Sequence, residues 1–104
     1  MSEEVRVLLY HRAEDAEGIE SAYHAASARL AGVPGLTGNE LLRSVTDTGE
    51  FVVVSSWRDF AAFQEWERGE AHRDQTAPLR PYRDVESGRP FGVYQVLASY
   101  QVPR

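Results

Sequence analysis

A chain of 104 residues, 42% hydrophobic and 26% charged, has room for one modest core and not for two, so residues 1–104 are read as a single globular domain. Its formal net charge of -5 opposes a phosphate backbone and argues against nucleic acid as a partner. With no cysteine there is no disulfide, thiol nucleophile or thiolate metal site, and no apolar run is long enough to span a bilayer.

The opening MSEEVRVLLY carries acids where a secretory signal would carry bases, which points to the cytoplasm. Val5 to His11 then reads as a strand whose apolar residues fall on both parities, so that both of its faces are expected to meet something apolar. From Asp15 the period changes. Ile19, Ala22, Tyr23, Ala26 and Leu30 recur at helical steps, with Asp15 as the expected N-cap and Gly32 as the expected stop. Pro34-Gly35 forces a turn.

Leu36 to Val45 and Phe51 to Trp57 are two extended runs joined by Thr46 to Glu50, whose Asp and Gly suit a hairpin. The second run, FVVVSSW, is again apolar on both parities. Asp59 can cap a following helix that carries Phe60, Phe63 and Trp66 on one face and ends near Gly69. Glu70 to Ala77 reads as a further helical turn stopped by Pro78 and Pro81, Arg80 to Arg89 as a surface loop, and Phe91 to Val102 as the last strand.

The order β-α-β-β-α-β predicts an α+β fold of the ferredoxin-like kind, an antiparallel sheet with its helices on one face. Strands that are apolar on both faces would leave a large patch uncovered, so a homodimer with the two sheets face to face is expected; the alternative is a monomer whose Arg80 to Arg89 loop covers the sheet.

Pro34, Gly35, Gly38, Leu41, Leu42 and Arg43, then Phe51 to Val54, Trp57, Ala62, Phe63 and Trp66, resemble in order and spacing the antibiotic biosynthesis monooxygenase family of dimeric α+β barrels. The resemblance covers the central half of the chain. It implies one of two activities. One branch oxidises polycyclic phenols to quinones with dioxygen and no cofactor; the other binds haem between helices and sheet and degrades it. Haem-degrading members need an asparagine on the first strand and a histidine beyond the tryptophan, and those places fall here at Val7 and Gln75.

A cofactor-free oxygenase has to bind, deprotonate and shield its substrate. Trp66, with a flat ring and one N–H to donate, and His72, whose imidazole can accept or give a proton, are the candidate catalytic residues. On periodicity alone Trp66 is core beside Phe60 and Phe63, and His72 an exposed turn residue. Asn39, Phe63, Tyr23, Arg43 and Tyr94 are candidates for substrate binding, with a dimer-rim position the alternative for Arg43 and a core position with a wet hydroxyl the alternative for the tyrosines. Three scattered histidines without a carboxylate cluster predict no metal site. The leading expectation is an oxygenase acting on a small aromatic substrate with dioxygen; haem binding, or small-molecule binding without catalysis, are the alternatives.

Overall fold

The β-branched start of the chain forms a central strand of a four-stranded sheet, ordered Leu36–Arg43, Glu50–Trp57, Val5–Arg12, Phe91–Gln95, seen in a computed structural model that describes residues 3–86, 88 and 91–103. The elements are β1 (Val5–Arg12), α1 (Ala16–Leu30), β2 (Leu36–Arg43), β3 (Glu50–Trp57), α2 (Phe60–Arg68), α3 (Ala71–Thr76), a 3-10 helix (Ala77–Tyr82) and β4 (Phe91–Gln95). Every strand pair is antiparallel. The fold is therefore the expected α+β one, with α3 and the 3-10 helix added after α2.

Register decides which face is the inner one. Val5, Val7, Leu9 and His11 of β1 stand opposite Trp57, Ser55, Val53 and Phe51 of β3, so these side chains share a face. The helices cover that face in two clusters. Ala62 and Phe63 of α2 pack with Val5, Val7 and Trp57, while Ile19 and Ala26 of α1 and Leu79 of the 3-10 helix pack with Phe51 and Val53. Trp57 and Ile19 are fully buried, and burial of a large apolar side chain of this kind contributes roughly 1.5–3 kcal/mol.

Local chemistry sets the element ends. Asp15 Oδ1 accepts from Glu17 N–H at 3.0 Å to start α1, and Asp59 Oδ1 accepts from Ala62 N–H at 2.8 Å to start α2. Gly35 sits at φ 84°, a left-handed conformation that disfavours any side chain, and a Cβ there would run into that of Ala62. In the hairpin Asp47 accepts from Gly49 N–H and is bridged by the Arg12 guanidinium at 3.1 and 3.2 Å.

Three expectations need correction. Pro78 and Pro81 do not stop the helical path but lie in the 3-10 helix, where Pro78 falls in the first turn and its missing N–H would have had no intrahelical acceptor. Arg80 to Arg89 is not a plain surface loop: Arg80 to Tyr82 complete that helix, Arg83 pairs with His11, and Asp84 is buried and donates its N–H to the Tyr10 carbonyl. Ser87 and Arg89 of that segment lie outside the described residues. The last strand ends at Gln95 and not at Val102; Val96 still donates to the Glu4 carbonyl, but Leu97, Tyr100 and Val102 are exposed, with Tyr100 at 96%.

The outer face keeps its apolar character. Leu8, Tyr10, Val52 and Val54 are half-buried there, and Leu42 and Tyr94 are exposed.

Candidate active site

Between the two core clusters the sheet and helices do not close completely, leaving a cavity of about 150 Å³. Inner-face residues of β1, β2 and β3 form its floor, and α1, α2, α3 and the 3-10 helix form its walls. An apolar cavity of this size takes about one aromatic ring. Exposed Glu67, Arg80 and Arg83 also line it, so larger ring systems would extend toward a charged mouth.

Trp66, His72, Phe63 and Asn39 are brought together in its lining. The Trp66 ring lies 5.3 Å from Trp57, 6.1 Å from Phe63 and 5.6 Å from His72, the last edge-on, so one aromatic run extends from core to wall. Its indole N–H does not serve as a free donor: it is given to Gln75 Oε1 at 2.7 Å, and Gln75 Nε2 in turn donates to the Arg29 carbonyl. Trp66 is thereby held as a surface. His72 Nδ1 lies 2.8 Å from the Gly69 carbonyl, and because a carbonyl only accepts, Nδ1 carries the proton and Nε2 is left as an acceptor.

The other predicted binding residues are divided. Tyr23 donates its hydroxyl to the Asn39 carbonyl at 3.1 Å, and Ser27 donates to Asn39 Oδ1 at 3.2 Å, so Tyr23 positions Asn39 from behind. Arg43 is exposed, 5.5 Å above the Phe51 ring and bonded to the Thr48 carbonyl; it belongs to the hairpin end and not to the cavity lining. Tyr94 pairs with Arg6 on the outward parity, which places it on the opposite side of the sheet from the cavity. A single-residue parity decides that.

Several lining residues were missing from the sequence expectation: His11, Ser55, Thr76, Arg80 and Arg83. His11 is 2% exposed, on the inner parity of β1 after Val5, Val7 and Leu9. That parity was readable; the arrival of Arg83 beside it was not, because a helical segment intervenes. His11 Nδ1 is 2.9 Å from the Leu9 carbonyl. Burial, more than any other influence, holds its pKa below the ordinary imidazole value; Arg83 pushes the same way, against the Leu9 bond and Asp84.

The residues present do not fit a haem. Val7 is packed in the core and offers no polar atom, and Gln75 is committed to Trp66 and Arg29. Among the described residues no group of three or more His, Cys, Asp or Glu side chains could hold a metal ion. Among them, too, no helix is long and apolar enough to cross a membrane.

Comparison with known proteins agrees with this architecture. The crystal structure of SnoaB, a cofactor-independent oxygenase from Streptomyces nogalater, superposes with a TM-score of 0.73 at 22% identity over 99% of this chain and 100% of that one. The haem-degrading protein Rv3592 of Mycobacterium tuberculosis does so at 0.71 and 18% over 98% and 100%. At such identities the likeness is one of fold. Protein SchA of Streptomyces halstedii is 32% identical over 75% of this chain, and a 42.8 kDa protein of the whiE locus of Streptomyces coelicolor 32% over 89%. The chain spans only 21% and 23% of the lengths of those two relatives. The family model described as antibiotic biosynthesis monooxygenase matches residues 4–77, most of the sheet and all of α1, α2 and α3, and the chain belongs to that family.

Proposed function

We propose that this chain is a cofactor-independent monooxygenase that oxidises an aromatic, phenol-bearing metabolite with dioxygen. The observation that carries the reading is the cavity walled by Trp66 and Phe63, mainly apolar in surface but with imidazole, amide and hydroxyl groups in its lining. One ring of the substrate lies against Trp66, and His72 Nε2 at the side orients the substrate by a hydrogen bond from one of its hydroxyls. In a site that excludes water the phenolate is electron-rich and passes an electron to dioxygen itself, so the protein supplies binding, deprotonation and shielding. The poor fit of Val7 and Gln75 to haem supports the cofactor-free branch over the haem-degrading one.

The test is dioxygen uptake by the purified protein with dihydroxyanthrone, with and without a metal chelator. Uptake that the chelator leaves unchanged, and that Trp66→Ala reduces at least tenfold, is the expected result. Absence of uptake while the compound still binds would turn the reading toward a non-catalytic binding barrel. A Soret shift on addition of haem would turn it toward the haem branch.

The same reading includes a homodimer formed through the outer face of the sheet. Leu42, Tyr94, Leu97, Tyr100 and Val102 are exposed there and along the segment after β4, more apolar side chain than a lone copy normally leaves in water. A twofold pairing of like faces would cover it.

A further inference from the structure

We propose that His11 is the base that takes the phenolic proton and that Arg83 faces the phenolate so formed. The proposal rests on the oxygenase reading and supplies its proton acceptor.

His11 follows Val5, Val7 and Leu9 on the inner face of β1, an otherwise apolar row. Among the described residues only His11 and Asp84 are both polar or charged and buried. An imidazole in such a position sacrifices hydration that an apolar side chain would not have. Its orientation is nevertheless fixed. The Leu9 carbonyl at 2.9 Å can only accept, so Nδ1 carries the proton and Nε2 is the ring's unprotonated nitrogen, in a residue that lines the cavity. This is the arrangement of a positioned general base, one nitrogen held by the backbone and the other free to receive a proton.

His72 shares the tautomer but not the setting. It is partly exposed on α3, whereas His11 is buried on the inner face of β1. The charges that act on His11 are Arg83 and Asp84, from the segment after the 3-10 helix. From the other elements around the cavity, β3 opposes it with Phe51, α1 contributes Ala26 and Leu30, and the remaining titratable lining groups are Glu67, His72 and Arg80. Burial keeps the free imidazole neutral and so ready to accept. Once the proton has moved, the imidazolium has the phenolate as its partner, and the Arg83 guanidinium attracts the same oxygen.

In the step, the substrate O–H bond breaks, its electron pair stays on oxygen, and an N–H bond forms at Nε2. Dioxygen, the co-substrate of the proposed reaction, takes the electrons from the anion. One of its oxygen atoms stays on carbon. The other leaves as water, carrying the proton returned by the imidazolium and the hydrogen that the oxidised carbon held.

The probe is para-nitrophenol, whose phenol and phenolate forms differ in visible absorbance. At a pH where the free probe is mostly protonated, the wild-type protein should bind it as phenolate, and H11N, whose side-chain amide can still donate to the Leu9 carbonyl, should not. With dihydroxyanthrone, H11N should lose roughly a hundred- to ten-thousand-fold in kcat with KM within a few-fold, and the acid limb of its pH–rate profile should vanish. Circular dichroism checks folding, and H11Q replaces H11N if the latter does not fold. A probe equally ionised in wild type and variant, protonated in both, or not bound at all overturns the proposal, as does undiminished turnover by the variant while dioxygen is still consumed. Wild-type protein that ionises the probe in a His11-dependent way but consumes no dioxygen leaves the base in place and removes the oxygenase reading.

Discussion

Gln75 shows how one side chain redirects a site. At the place where the haem-degrading branch is expected to carry a ligand, this chain has an amide whose oxygen takes the indole proton of Trp66 at 2.7 Å and whose nitrogen reaches the Arg29 carbonyl. Trp66 is thereby fixed between α2, α3 and the end of α1, as a wall and not as a donor. Gln75→Leu removes the acceptor and leaves a half-buried N–H unpaired, which should cost about 1 kcal/mol. Thermal denaturation should show the loss, and tryptophan fluorescence a change of Trp66 environment; an unchanged melting temperature and spectrum would mean that the amide bond does not hold the ring.

Among the elements, the connection from α1 into β2 is constrained at Gly35 by both conformation and contact. Gly35 is left-handed at φ 84°, and its missing Cβ makes room for Ala62 at the start of α2. Its carbonyl also accepts from Arg58 N–H at 2.8 Å, so one glycine ties the β2 entrance to the β3–α2 corner. Gly35→Ala must bear a left-handed penalty of about 1–2 kcal/mol and displace α2 as well. Denaturant unfolding should therefore show a loss above that range, with the wall carrying Phe63 and Trp66 shifted. Gly38→Ala, where a Cβ would meet nothing within 4 Å, is the control and should be close to neutral.

For the whole molecule, stability should respond to acid in two windows. His11 has a lowered pKa, so below the ordinary value near 6.5 the unfolded chain binds a proton that the native state resists. Stability therefore falls as pH drops below about 6.5, and H11N should lack this first decline. Asp47, held down chiefly by its hydrogen bond from Arg12, keeps its stabilising charge above 3.8 and loses it at lower pH, a second decline that added salt should weaken because the pair is exposed. Melting curves against pH for wild type and H11N separate the two.

Assembly belongs to the same scale. Light scattering should give twice the monomer mass, and Leu42→Lys with Tyr94→Lys should shift it toward one copy while helical content is kept. A monomeric wild type would refute the dimer.

Composition, parity and helical spacing determined the α+β class, the element order, both N-caps, the hairpin and the two-sided apolar sheet, because these depend on residues close in sequence. The family likeness also pointed to Trp66, and His72 and Asn39 were found in the same lining. Tertiary structure alone decided the rest. It put Tyr94 and Arg43 away from the cavity, gave the Trp66 proton to Gln75, and carried the chain through Pro78 and Pro81 so that Arg83 meets His11 across 72 positions of sequence. Contacts between residues so distant depend on how elements pack, and no local period records where a buried histidine on one strand will find its charged neighbour.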